Sequence, residues 1–209
     1  MIAIVDYNAG NIRSVQRAFE YAGAACRVTS SPDEILSADG VILPGVGAFG
    51  DCFGNLKQKG LDRVVCRCLE KGMPFLGICL GFQMLFEYSE ESGAGGGFAE
   101  GMGVFRGAVR RFPQEMGLKV PQIGWNSLER TKDCVLFEGL PEKPYVYFVH
   151  SYYVDANDRS LVAARSHYGI PFDAAISRDK IFAVQFHPEK SGDIGIMIIK
   201  NFLKVVYGV

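Results

Sequence analysis

The sequence has almost no excess of charge: 22 basic against 23 acidic side chains leave a formal net charge of −1. Nucleic acids and anionic membranes are held through a surplus of basic groups, so neither is expected as the main partner. No apolar run is long enough to cross a bilayer. The best stretch, residues 194–206, is broken by Lys200, Asn201 and Lys204. The first ten residues are apolar at the start but carry Asp6 and no basic flank, so they read as a strand rather than a signal peptide. The six cysteines, at 26, 52, 66, 68, 79 and 134, lack the paired spacing of a disulfide framework or a zinc site. Cys66 and Cys68 lie two apart on an expected helix and so point to different faces. Neither metal nor cofactor is expected, and free thiols fit a reducing cytoplasm. Linkers and internal repeats are also missing. With 48% apolar residues the chain is not disordered, and its 209 residues are expected to form one domain, 1–209.

What is present is an alternation of short apolar runs and helical patterns. Ile2 to Asp6 reads as a strand, and Ile12 to Tyr21 has helical spacing. Cys26 to Thr29 and Gly40 to Leu43 read as further strands. Between them, Ser31-Pro32-Asp33-Glu34 offers an N-cap, a proline at the first helical position and acids in the first turn. Leu61 to Lys71 is helical, with Gly72 to end it. Pro74 to Ile78 is a strand running into Cys79, and Phe82 to Glu87 reads as the helix that follows. Such alternation predicts an α/β fold with a central, mostly parallel sheet and helices on both faces. Residues 102–112, 145–154, 161–168 and 174–187 are strand-like and closely spaced, which predicts an antiparallel extension. A closing amphipathic helix is expected over 194–206. The low-complexity patch Gly93 to Gly97 reads as a flexible surface loop.

Chemistry concentrates at three places. Gly77-Ile78-Cys79-Leu80-Gly81 sits between a strand and an expected helix, a cysteine form of the nucleophile elbow. A sharp turn there strains the central residue, and side chains two positions away on either side would collide. The turn lifts the thiol above the C-terminal ends of the strands, where open α/β sheets place their sites. A helix N-terminus aimed at the sulfur favours thiolate. Without this context a buried structural cysteine is the alternative. A cysteine nucleophile needs a base, and the chain has only three histidines. His187 ends an apolar strand, and Glu189, two residues on, can turn back to orient the imidazole. His167 reads as a strand-end residue of structural or exposed character. His150 can line a pocket or be a hydrogen-bonded sheet histidine. Pro44-Gly45-Val46-Gly47 follows the third strand. Acyl transfer needs backbone N–H groups aimed at the developing oxyanion. Leu80 supplies one, and the Val46–Gly47 loop can supply the other. Its glycines also let a peptide plane flip between competent and incompetent states.

Together, Gly77 to Gln83, Phe186-His187-Pro188-Glu189 and Pro44 to Gly47 resemble the triad (class I) glutamine amidotransferases. The resemblance runs from the first strand to the last helix. Asp6 to Ser14, Gly124-Trp125-Asn126, Tyr147 to Tyr152 and Lys190 after the glutamate resemble most the separate glutaminase subunits that serve histidine biosynthesis. The departures are Asn8-Ala9, where glycine and methionine are commoner, and Phe82, where methionine is common. The resemblance implies Cys79 as nucleophile, His187 as base and Glu189 as its orienter. It places Gly47, Gln83, Glu91, His150, Ser151 and Tyr152 around the glutamine. Glu91 could equally be a solvated acid in the run Glu87 to Glu91. The resemblance also implies a (βα)8-barrel cyclase as heterodimeric partner, receiving ammonia directly, with Lys190 as a candidate contact. A glutaminase subunit of anthranilate or aminodeoxychorismate synthase is the alternative, although those usually carry serine where Lys190 stands.

Overall fold

The structure is a computed structural model, and it describes residues 1–8, 10–91 and 97–208. In chain order the strands are β1 (Ile2–Val5), β2 (Cys26–Thr29), β3 (Gly40–Leu43), β4 (Phe75–Ile78), β5 (Phe86–Ser89), β6 (Ala99–Glu100) and β7 (Phe105–Arg111). They continue with β8 (Gln122–Ser127), β9 (Glu129–Arg130), β10 (Tyr145–His150), β11 (Tyr152–Ala156), β12 (Val162–Tyr168), β13 (Ile170–Arg178) and β14 (Ile181–Val184). The α-helices are α1 (Ile12–Tyr21), α2 (Pro32–Leu36), α3 (Phe49–Gln58), α4 (Leu61–Glu70), α5 (Leu80–Gln83) and α6 (Gly192–Tyr207).

The main sheet runs β2-β1-β3-β4-β14-β13-β11-β7-β5-β6, with β12 on β13 and β9 on β12. Its first five strands are mutually parallel. From β13 onward the pairing is antiparallel except for β5 with β7. This is the parallel sheet with an antiparallel extension that the sequence predicts. The parallel strands β1, β3, β4 and β14 are buried along their whole length, as continuous apolar runs require. Alternation then divides their side chains between two cores. Ala3, Val5, Val41, Leu43 and Phe75 pack with α2, α3 and α4; Ile2, Ile4, Ile42, Leu76 and Ile78 pack with α1 and α6. Ser31 caps α2 as expected, its side chain accepting from the Glu34 N–H. No helix among the described residues is long and apolar enough to cross a membrane.

Three local readings need correction. The helix expected over Phe82 to Glu87 is a single turn, α5, and the chain re-enters the sheet at Phe86. The carbonyls of Met84, Phe86 and Glu87 are taken by the N–H groups of Met102, Gly103 and Gly101, so non-local pairing ends the helix early. Residues 145–154 are not one strand. The chain breaks at Ser151, and β10 leaves the main sheet to form a separate two-stranded ribbon with β8. Helix α3 was not anticipated. Of the Gly93–Gly97 patch, residues 93–96 lie outside the described residues.

Candidate active site

Cys79 follows β4 directly and precedes α5. Its backbone lies at φ 54°, ψ −105°, a region that a residue with a Cβ occupies only under constraint. The constraint is visible in its hydrogen bonds. Its N–H donates to the Val184 carbonyl of β14 at 2.8 Å, and its own carbonyl accepts from the N–H groups of Phe82 and Gln83. The flanking glycines are required by contact. A Cβ on Gly81 would lie 1.8 Å from the Leu43 carbonyl oxygen, and one on Gly77 would lie 2.9 Å from the Gly81 oxygen. Because α5 is only one turn long, it supplies less of the positive helix end than the sequence predicts.

His187 lies three residues beyond β14, and its N–H donates to the Tyr147 carbonyl of β10 at 2.9 Å. Its Nδ1 pairs with Glu189 Oε1 at 2.8 Å, both side chains being buried. A carboxylate accepts, so Nδ1 carries the proton and Nε2 is the free face of the ring. Nε2 makes no hydrogen bond of regular geometry among the described residues, yet the Cys79 sulfur is close enough to act on the ring's charge. Burial opposes that charge. Cys79 and Glu189 outweigh it, and the imidazole is pushed up to about 10.

The thiol opens into a cavity of about 250 Å³ lined by Val46, Gly47, Leu80, Gln83, Glu91, His150, Ser151 and Tyr152, together with Pro121 and Val149. Every residue that the sequence assigns to the oxyanion or the substrate therefore borders one space with Cys79. Glu91 is not a freely solvated acid. Its Oε2 accepts from the Phe49 N–H at the start of α3 at 2.9 Å, and burial raises its pKa. His150 is buried, and its Nδ1 meets the Tyr152 carbonyl at 2.8 Å, so that nitrogen is the donor. Burial lowers His150 to about 4 and keeps it neutral. His167 is exposed at the end of β12. Lys190 is exposed, its ammonium 5.7 Å from the centre of the Tyr147 ring.

The two N–H groups expected to serve an oxyanion, those of Leu80 and Val46, are not aligned. The Leu80 N–H donates to the Gly45 carbonyl at 3.3 Å. In a trans peptide the carbonyl and the following N–H point in opposite directions, so the Val46 N–H is turned away from Leu80. Gly47, at φ 115°, and Cys52, whose thiol donates to the Val46 carbonyl at 3.3 Å, shape the rest of the loop.

Two residues at the site were not picked out from the sequence. Asn11, at φ 66°, donates from Nδ2 to Glu189 Oε1 at 2.6 Å. Gln185 donates from Nε2 toward the Cys79 sulfur at 3.6 Å. Neither carried a signal of its own in the sequence, since each is defined by a contact across the fold.

The arrangement suits acyl transfer from a small amide to a thiol, and similarity agrees. The family model for class I glutamine amidotransferases matches residues 3–206. The imidazole glycerol phosphate synthase subunit HisH of Desulfitobacterium hafniense (strain Y51) is 47% identical, covering 99% of this chain and 95% of that protein. The protein of the same name from Thermosynechococcus vestitus is 49% identical, covering 98% and 97%. Among solved structures, PurLQS from Thermotoga maritima matches with a TM-score of 0.76 over 97% of each chain at 20% identity, a likeness of fold.

Proposed function

The chain belongs to the class I glutamine amidotransferase family, and we propose that within it this protein is the glutaminase subunit of an imidazole glycerol phosphate synthase. Relatives bearing that name match it nearly end to end. The observation that carries the chemistry is the buried His187–Glu189 pair beside a strained cysteine that opens into a small-molecule cavity.

In this reading the Cys79 thiolate attacks the side-chain amide carbon of glutamine. The C–N bond breaks, the nitrogen takes a proton from His187, and ammonia leaves a glutamyl thioester. Water then gives a proton to His187 and attacks the thioester. The C–S bond breaks, glutamate departs, and the thiolate returns. In the resting site Cys79 and Glu189 push the imidazole up to about 10, so it carries a proton when the sulfur attacks, and it can give that proton up once the charge on sulfur is spent. Glu189 orients the ring, and Asn11 steadies Glu189. One oxygen of Glu91 is used by Phe49, which leaves the other for the substrate ammonium. Turning the Gly45–Val46 peptide over would free the Leu80 N–H and bring the Val46 N–H beside it, giving two oxyanion donors at once. The present arrangement supports a subunit that idles until something turns that peptide.

The partner we propose is a (βα)8-barrel cyclase subunit, bound as a heterodimer. Support comes from the β8–β10 ribbon, which exposes Ile123, Trp125 and Tyr145 near Lys190. Exposed aromatic and aliphatic groups gathered in one patch are the usual material of an interface. The ribbon also holds His187 through the Tyr147 carbonyl, so docking there bears on the triad. The test is the purified complex with Cys79→Ala. Glutamine-driven synthesis should fall at least a thousandfold, by analogy with loss of other enzyme nucleophiles, while added ammonium salt still drives it. Normal glutamine use by the variant would contradict the reading, as would co-purification with a chorismate-binding enzyme in place of a barrel.

A further inference from the structure

The amide orientations around Cys79 can be assigned from chemistry alone. The Tyr152 carbonyl can only accept. It takes Nε2 of Gln83 at 3.0 Å and Nδ1 of His150 at 2.8 Å. That fixes which end of Gln83 is the NH2 group. The same nitrogen donates to Gln185 Oε1 at 3.0 Å, so the oxygen of Gln185 is assigned in turn. Nε2 of Gln185 is left facing the Cys79 sulfur at 3.6 Å. Gln185 is wholly buried and Gln83 nearly so. Flipping Gln185 would set two donors against each other. Its backbone is held as well, since its N–H donates to the Ala174 carbonyl of β13 at 2.8 Å.

We propose that Gln185 is a catalytic hydrogen-bond donor to the Cys79 sulfur, locked in the donating orientation by Gln83. The proposal rests on the reading of Cys79 as the nucleophile. A thiol is a weak acceptor and a thiolate a strong one, so the bond strengthens when the sulfur is charged. It acts at two points of the cycle. Before attack it favours the thiolate beside the His187 imidazolium. In the second half, when water has added and the C–S bond breaks, the electron pair returns to sulfur and Gln185 receives it with an N–H already in place. No proton passes to or from Gln185. The short α5 makes such a donor useful, because one helical turn offers the sulfur little of a helix dipole.

The test is the rate of Cys79 alkylation by iodoacetamide between pH 5 and 9, read by peptide mass spectrometry on the folded subunit and on Gln185→Met. A hydrogen bond to a charged group corresponds to roughly tenfold in an equilibrium. The variant's pH midpoint should therefore lie about one unit higher, with alkylation up to about tenfold slower on the rising limb of the profile. In the assembled complex kcat should fall while KM for glutamine changes less than about threefold, taking tenfold as the size of the lost bond. Superimposable pH profiles would overturn the proposal, because a packing role alone does not move a titration. Should Gln185→Met fail to fold, the unchanged chain decides. The Gln185 side-chain NH2 resonances should follow pH in the wild-type protein and lose that dependence in Cys79→Ala; resonances indifferent to Cys79 would overturn the proposal. Retained glutamine use in Cys79→Ala would sink the nucleophile itself. Loss of glutamine use there, with wild-type behaviour in Gln185→Met, would sink only the role of Gln185.

Discussion

His150 and His187 are close enough to repel one another, yet their surroundings push them in opposite directions. His187 gains two anionic neighbours and is raised; His150 gains only a backbone carbonyl and is lowered by burial to about 4. The sign of the consequence for His150 follows from proton binding. Between pH 6.5 and 4 the unfolded chain protonates this histidine and the folded chain does not, so stability drops as pH falls through that window. His150→Asn keeps a donor for the Tyr152 carbonyl and removes the titration. Urea unfolding at pH 7 and pH 4.5 should show the wild type losing more stability than the variant, by an amount on the order of 2 kcal/mol. Parallel losses would contradict the assignment. At this scale the sequence was legible where chemistry is local: the elbow around Cys79 and the His187–Glu189 pair are each contained in a few residues. Asn11 and Gln185 were not legible, because their contacts join positions 178 and 106 residues apart.

The elbow shows what an element demands of single positions. A methyl group on Gly81 meets a backbone oxygen of β3 that cannot move without opening the sheet. Gly81→Ala should cost roughly 3 kcal/mol or more in urea unfolding, the size expected when an alanine forces a strained turn apart. Gly54 in α3 is the converse. It is exposed, and a Cβ there meets nothing within 4 Å. Gly54→Ala should stabilise by about 1 kcal/mol with glutaminase activity unchanged. Equal effects of the two substitutions would refute the contact argument. The same helix explains a gap in the sequence reading. α3 contains two glycines and starts without a side-chain cap from its own N-terminal segment; its first N–H is satisfied by Glu91 from beyond β5. Of the helices before it, α1 carries its own periodicity and α2 its own cap, so both could be read. α5 could not be bounded, because the groups that stop it belong to residues 101–103.

For the whole molecule, the question is how the proposed site, whose expected oxyanion donors are misaligned, is brought to work. The β8–β10 ribbon stands apart from the main sheet, presents Trp125 over half exposed and touching Tyr147 edge to face, and bonds directly to His187 through its backbone. A partner seated on it would press on the triad without entering the cavity. Trp125→Ala should raise the Kd for the cyclase subunit about tenfold or more by calorimetry, as for other interface anchors, while shifting the subunit's own stability by less than about 0.5 kcal/mol. An unchanged Kd would place the interface elsewhere. The central claim concerns Cys79, and a glutamine-shaped chloroketone tests it most directly. Added to the assembled complex, it should add one label per glutaminase chain, on Cys79 alone, with free glutamine slowing the reaction. Full inhibition with the label on another residue, or with Cys79 unmodified, would contradict the account.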